Sequence, residues 1–432
     1  MSAPGASGLF EPSTEALDRA SLRSLQLRRV QALLDEILPS NAFYAAKFGS
    51  RRAVASWEDF AALPFTTKQE LATDQARQPP FGTNLSYPID RYIKLHQTSG
   101  TTGKAPIRWL DTEESWDWWA RCWGHVYTGA GIGPGDRVFF AFSFGPFIGF
   151  WAAYEGTRKV GAMALPGGGM QTEQRLQAIF DDQASALCCT PTYALRMADE
   201  AQRLGLDLAA SSVSATVHAG EPGASVPAVR ARIEQAFGAR CNDHTGMTEL
   251  GATGFTCPQQ AGVHLIESEF VFEVIDPRTL EPVPEGEQGE LVATNLGRAG
   301  MPLIRYRTGD LVQVDASPCR CGRTFARLAG GILGRVDDMV VVRGVNVFPS
   351  AIEGVLREFP EVSEFRIEVF SRRSMAELKV LLEPLPGADT GLAERVAERL
   401  GGRLLLRVPC ELVPVGTLPR FELKARRLVR RD

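Results

Sequence analysis

Short apolar runs separated by helical stretches across residues 137–219 predict an α/β protein, because parallel strands need crossover connections of the kind those helices supply. Two further observations refine the fold class. Between residues 269 and 294 the pattern becomes strand, the turn DPRTLEPVPEGEQG, then strand again, which predicts an antiparallel subdomain. At Gly334-Arg335-Val336-Asp337 the composition shifts once more, and strand, helix, two strands, helix and strand follow. The expected architecture is a large N-terminal domain, residues 1–335, with parallel sheets and that antiparallel subdomain. A small α+β C-terminal domain, residues 336–432, follows a hinge at Asp337. A chain of 432 residues has room for both, and about 95 residues can bury a small core of their own.

The elements follow from local spacing. Leu22, Leu25, Val30, Leu33 and Ile37 recur with helical periodicity and predict an amphipathic helix. Trp116, Trp119 and Trp123 share one face of a later helix, a stripe that suits core or a subunit interface and carries no chemistry. Strands are expected at 137–142, 161–166, 186–190 and 213–219. The uncharged run 138–154 approaches the length of a membrane span, but Gly145, Pro146 and Gly149 interrupt it. It reads as a buried strand, a tight turn and a buried helix, with no membrane partner. Cys188 and Cys189 are adjacent on a strand and so face opposite ways, both into core; Cys122, Cys241 and Cys410 read as core too. In the small domain a strand is expected at 339–342. A helix from Ser350 is signposted by a capping box of Ser350 with Glu353, and another spans 391–400.

Bulk properties exclude several classes. The 44% apolar content is that of a globular chain, and a net charge of −4 gives no reason to propose nucleic acid. The basic run after Lys424 is short enough to be a solvated edge. The first residues lack the basic and apolar regions of a secretion signal. Eight cysteines in that context imply reduced thiols and a cytoplasmic location.

The chemistry is carried by five short strings. In QTSGTTGKAP, residues 97–106, glycines free the backbone N–H groups to converge while hydroxyls and a lysine add donors, so the loop suits a polyanion such as a triphosphate. It is not a Walker A loop, because Gly100, Gly103 and Lys104 lie too close together and Ala105 follows. By itself it would serve equally as a hydroxyl-rich surface turn. NDHTGMTELG then places Thr248 and Glu249 after a glycine turn, and IRYRTGDL places Asp310 behind another. GRVDDMVVVRGVNVFPSAIE and LPRFELKARRLVRR, with Lys424, complete the series. A carboxylate at Asp310 can accept from ribose hydroxyls, and one at Glu249 can hold magnesium against phosphate oxygens.

These strings, in this order, resemble the adenylate-forming superfamily, and within it the phenylacetate–CoA ligase family. LPFTTKQEL, TPTYAL, GEP, PLIRYRTGDL, CRCGRT, GRVDD and RGVNVFPSAIE carry the closer resemblance over nearly the whole chain. Two departures stand out. His244-Thr245-Gly246 replaces the usual aromatic-glycine pair, which alters the adenine or acyl pocket, and Leu423 precedes Lys424 where a glycine is common.

The resemblance implies ATP, magnesium and CoA as ligands. Thr98, Ser99, Gly100, Thr101, Thr102, Gly103 and Lys104 would cradle the departing phosphates. Thr248 would contact the α-phosphate and Glu249 would hold Mg2+. Asp310 and Arg335 would take the ribose, while Gly220, Glu221 and Pro222 with Asp243, His244 and Thr245 would flank adenine. Lys424, on a mobile C-terminal domain, would bridge acyl and phosphate oxygens. Rotation at Asp337 would then present the Gly344 face to the thiol. Phe142, Phe144 and Phe147 opposite Ala219 suit a flat aromatic or arylalkyl carboxylate, and would serve equally as plain core.

Cys257, His264, Cys319 and Cys321 make a closed tetrahedral set for structural zinc, in a region where relatives can carry a metal. Ordinary buried cysteines, or a redox pair at Cys319 and Cys321, are the alternatives. The expected function is an AMP-forming acid–thiol ligase, with a small carboxylic acid, ATP and CoA as partners and a homodimer implied by the resemblance. Transfer to an acyl carrier protein or an amine is the second reading, and a non-catalytic nucleotide-binding protein the third.

Overall fold

The structure, a computed structural model, describes residues 8–50, 53–98, 106–145, 148–221, 223–336, 338, 340–342, 345–372, 375–404, 406–421 and 427–431. Five helices come first: α1 (Pro12–Glu15), α2 (Arg19–Ile37), α3 (Ala42–Phe48), α4 (Trp57–Ala61) and α5 (Lys68–Arg77). An antiparallel ribbon, β1 (Tyr92–Gln97) and β2 (Arg108–Thr112), leads into α6 (Glu113–Ala130). An alternating stretch follows: β3 (Arg137–Phe140), α7 (Gly149–Val160), β4 (Met163–Pro166), α8 (Thr172–Asp181), β5 (Ala186–Cys189), α9 (Pro191–Leu204), β6 (Ala215–His218) and α10 (Pro227–Phe237).

Strands then dominate: β7 (Arg240–Met247), β8 (Gly251–Thr256), β9 (Val263–Leu265), β10 (Phe270–Ile275), β11 (Gln288–Asn295), β12 (Tyr306–Asp315), β13 (Arg327–Leu328) and β14 (Gly334–Arg335). The remainder holds the β15 (Val340–Val342) and β16 (Val345–Val347) ribbon, then α11 (Pro349–Leu356), β17 (Val362–Arg372) and β18 (Met375–Pro384). It ends with α12 (Leu392–Leu404), β19 (Cys410–Leu412) and β20 (Leu428–Arg431).

Local chemistry sets the helix ends. Thr67 caps α5 through a reciprocal box with Glu70, and Thr112 and Thr190 accept from backbone N–H groups at the starts of α6 and α9. Left-handed glycines, Gly131, Gly161, Gly205 and Gly238, stop α6, α7, α9 and α10. The expected capping box of Ser350 with Glu353 does not form. Phe348 is the N-cap of α11, Pro349 occupies the first turn where a missing N–H costs nothing, and the Ser350 hydroxyl donates instead to the Leu333 carbonyl.

One mixed sheet runs β10-β11-β12-β13-β9-β8-β7-β6-β5-β3-β4, with β14 also on β12. Strands β4, β3, β5, β6 and the first half of β7 are parallel; the rest pair antiparallel. The antiparallel region expected at 269–294 therefore exists as the β10–β11 hairpin, but it is continuous with the parallel strands rather than a separate sheet. Alternating residues feed two cores. Val138, Phe140, Cys188 and Val217 pack towards α6 and α7, while Phe139, Leu187, Cys189 and Cys241 pack towards α8, α9 and α10. Cys188 and Cys189 thus divide as expected. The tryptophans of α6 are core, with Trp123 and Trp119 each 2% exposed. Cys410 is only half-buried, at the margin of a third core.

That third core, with Val355, Ile367, Val380 and Val396, lies under the four-stranded sheet β19-β18-β17-β20. Among the described residues no helix is long and apolar enough to cross a membrane.

Candidate active site at the strand ends

The parallel strands end together at Phe140, Cys189, His218 and Asp243, and it is outside such carboxyl ends that open α/β sheets form ligand crevices. β7 runs past this edge into the turn that carries Thr248 and Glu249, closed by Leu250 N donating to the Met247 carbonyl at 3.2 Å. Glu249 is buried, and the Lys68 ammonium lies 3.1 Å from its carboxylate. Lys68 opens α5, where the Thr67 box fixes the backbone that aims it. The turn is held from behind by Arg298, which is wholly buried and donates to the carbonyls of Glu249 (2.8 Å) and Thr248 (3.1 Å). Its other edge makes a two-pronged pair with Asp111, at 2.7 and 2.9 Å, between the rings of Trp109 and Trp119. Buried charges persist only when paired this fully.

Asp310 sits on β12 opposite Arg335 of β14, with a 2.9 Å ion pair between them. Gly309 adopts φ +73, and a Cβ there would approach the Arg335 guanidinium to 2.8 Å, so the Thr-Gly-Asp string needs its glycine. Thr66 bonds β12 through Arg305 and Arg307, which places the start of α5 beside that strand. Tyr306 lies at the centre: burial pushes its phenol far up, and it feels the charges of Glu249, Arg335 and Asp310. The expected magnesium carboxylate and the expected ribose carboxylate therefore share one neighbourhood, with Lys68 added.

On the α8–α10 face, the Asp243 carboxylate accepts from the Ser225 hydroxyl. Burial pushes its pKa up to about 6, and the Ser225 bond opposes that rise. Gly331 approaches it closely enough that a Cβ would lie 3.1 Å from Oδ2. Gly220, at φ +96, turns the chain after β6, and Glu221 accepts from Thr192 N at 2.9 Å. Thr245 is buried and bonded to Thr253. His244 points the other way, its ring 4.3 Å from Trp123 on α6. The expected adenine set is thus split: Asp243 and His244 lie on opposite faces of β7.

Phe142 and Phe144 pack together, with centroids 4.9 Å apart, and Phe144 also meets Trp151 and Tyr154. Ala219 is half-buried at the end of β6. Thr98 lies at the base of the expected phosphate loop, where Ile107 and Thr98 exchange bonds of 3.0 and 3.1 Å. Ser99, Gly100, Thr101, Thr102, Gly103 and Lys104 lie outside the described residues, as do Phe147, Pro222, Asp337, Gly344 and Lys424.

Comparison with known proteins now decides the family. Phenylacetate–coenzyme A ligase of Thermus thermophilus is 32% identical, covering 96% of this chain and 97% of that protein. The Escherichia coli enzyme of the same name is 31% identical over 94% of each. The chain belongs to the phenylacetate–CoA ligase family. The AMP-binding enzyme C-terminal domain family matches residues 344–431 of the ligase. A crystal structure of 2-hydroxyisobutyryl-CoA ligase in the postadenylation state with 2-HIB-AMP superposes with a TM-score of 0.93, at 30% identity, over 100% of this chain and 94% of that one. The same enzyme with 2-HIB-AMP and CoA in the thioesterification state gives 0.75.

A second cluster in the ligase lies where β8, β9 and the β12–β13 turn meet. Cys257, His264, Cys319 and Cys321 bring their ligand atoms within 4.8 Å of one another. Cys257 and Cys319 sulfurs are 3.8 Å apart, and tetrahedral zinc with Zn–S bonds of about 2.3 Å needs about 3.8 Å. His264 Nδ1 donates to the Phe325 carbonyl at 2.9 Å, so Nε2 carries the lone pair and meets the Cys321 sulfur at 3.4 Å. A bond from the Cys257 thiol, opposed by burial, pulls the Cys321 thiol well below the ordinary thiol range. The donor set, distances and tautomer fit zinc.

Lys68 and Arg298 are the residues of this cluster that motif reading missed. Lys68 was visible inside LPFTTKQEL, but nothing local says which carboxylate it meets 181 positions later. Arg298 lies in no recognisable string, and only tertiary pairing gives it a role.

Proposed function

We propose that the protein is an ATP-dependent ligase that adenylates a small carboxylic acid and passes the acyl group to CoA, releasing AMP and pyrophosphate. The convergence of Lys68, Glu249, Asp310 and Arg335 around Tyr306 carries this reading. Family membership supports it, and so does the likeness to a ligase solved with an acyl-adenylate and with CoA.

A carboxylate is a poor electrophile because its leaving group would be oxide. In the first half-reaction its oxygen attacks the α-phosphorus of ATP, the bond to the β-phosphate oxygen breaks, and pyrophosphate departs. The site must relieve repulsion between two anions and stabilise charge on the leaving group. Thr98 and the loop after it, with Lys104, face the phosphates. Lys68 adds a cation beside them, and Thr248 meets the α-phosphate. Asp310 accepts from ribose hydroxyls while Arg335 steadies it. Asp243, with Gly220, Glu221 and Pro222, borders adenine, and Thr245 supports that wall. Glu249, an acceptor-only carboxylate whose partner Lys68 is half-exposed and able to swing aside, fits Mg2+, which would share the phosphate charge.

In the second half-reaction the CoA sulfur attacks the acyl carbonyl, a thioester forms and AMP leaves. Lys424, from the small domain (residues 336–432), serves the first step, and a turn about Asp337 brings the Gly344 face in for the second. Phe142, Phe144, Phe147 and Ala219 suit an aromatic or arylalkyl acid. The cysteine–histidine cluster holds structural Zn2+ away from the chemistry. Free cysteines suit a reducing, cytoplasmic setting. A homodimer is the assembly expected of the family.

The test is a carboxylic-acid panel scored for pyrophosphate release with and without CoA. Acid-dependent release followed by CoA-dependent thioester supports the reading. Acid-dependent exchange without thioester selects a carrier-protein phosphopantetheine or amine acceptor, and nucleotide binding without release selects a non-catalytic binder.

A further inference from the structure

The wall of the acyl pocket contains a hydrogen-bonding atom at the position where this chain departs from the family pattern. Register fixes its place. Cys189, His218 and Asp243 stand side by side on neighbouring strands and share the α8–α10 face. The next residues, Ala219 and His244, therefore turn to the α6–α7 face, as Phe140 and Phe142 do at the end of β3. The ring of His244 against Trp123 confirms its side. Phe142, Ala219 and His244 thus border the same space, on the opposite face from Asp243 and Ser225.

The tautomer of His244 follows from one bond. Nδ1 lies 2.8 Å from the Gly254 carbonyl, which can only accept, so Nδ1 carries the proton. Burial pushes the imidazole down to about 4, so the ring is neutral and Nε2 presents a lone pair. Nε2 has no hydrogen-bond partner among the described residues. Gly246 leaves it uncovered: a Cβ there would lie 3.2 Å from Nε2, so this nitrogen points along β7 towards the Thr248–Glu249 turn. A residue only 7% exposed that aims a bare acceptor at a binding space selects a donor.

We propose that His244 Nε2 accepts a hydrogen bond from the acyl group, so that the substrate is a carboxylic acid bearing a hydroxyl or amino group. The proposal rests on the acid-activating reading of the site. Acids with only apolar substituents strand the lone pair in a desolvated wall and are disfavoured.

The experiment uses the full-length protein with Mg2+ and ATP, and matched benzoates and phenylacetates. Each ring carries hydroxyl, amino, methyl, methoxy or hydrogen at the same position. kcat/KM for acid-dependent pyrophosphate release is measured for the natural chain, for His244→Leu, and for His244→Gln, which keeps an acceptor. Hydroxyl or amino acids are expected to exceed their methyl and methoxy counterparts by about 10- to 100-fold at one ring position. His244→Leu should abolish or invert that ratio, and His244→Gln should keep part of it. Melting temperature with and without ATP verifies that each variant is folded. Comparing the hydroxyl and amino arms tells an alcohol from an amine. Equal rates for donor and donor-less acids, or a preference that survives in His244→Leu, overturns the proposal. Pyrophosphate release with no acid at all removes the activity reading and the proposal with it, a failure distinct from lost discrimination.

Discussion

Arg298 joins a buried carboxylate to the turn that bears Glu249, so its removal acts on catalysis through position rather than contact. Arg298→Lys keeps a charge beside Asp111 but cannot span both carbonyls. It should lower kcat about 10- to 100-fold with little change in the acid KM, and single-turnover adenylation assays would show it. Lys68→Ala should slow adenylation about 100-fold while sparing transfer from a preformed adenylate; equal loss in both steps would exclude a phosphate role. Asp243 predicts a pH effect. Between the ordinary carboxylate range and about 6, the folded chain holds a proton at Asp243 that the unfolded chain has released. Its contribution to stability is therefore present at lower pH and is lost as pH rises through about 6. Asp243→Asn should flatten that part of the curve, read as melting temperature against pH in the absence of nucleotide. At this scale the sequence was legible where one residue type is forced by its own neighbours, as with Gly309 before Asp310. It was silent where a partner comes from far away, as for Lys68 and Arg298.

The elements show the same division. Strands β3 to β6 were readable because buried parallel strands are short apolar runs bounded by helices, and α6 because its tryptophans repeat at helical spacing. The join between the parallel and antiparallel regions was not, since β7 is one strand that changes partners half-way, pairing β6 through Asp243 and β8 from His244. The Ser350 box failed because Pro349 already starts α11 and the Leu333 carbonyl competes for the hydroxyl. The cysteine–histidine clip joins β8, β9 and the β12–β13 turn, residues far apart in sequence that the sheet brings together. Purified protein should contain about one zinc per chain by elemental analysis. A strong chelator or Cys321→Ser should lower the melting temperature, with acid specificity unchanged.

At the scale of the whole molecule, the C-terminal elements meet the rest of the chain at the start of α9. Arg427, on the chain leading into β20, is anchored by Glu364 and Glu353 and reaches Thr192 at 3.5 Å. Arg427→Met should weaken that docking and slow adenylation more than thioester formation, a split that simple unfolding would not produce. The composition shift at residues 334–337 leads into elements with a core and a sheet of their own, but how they pack on the rest is something no motif states. The Asp310–Arg335 pair adds a final consequence. Arg335 ends the last strand of the large sheet, two positions before the hinge proposed at Asp337, so on that proposal the partner of Asp310 also belongs to the swivel. A ligand that draws on that carboxylate would then be felt at the pivot, and an empty cleft and a filled one would set the joint under different tension.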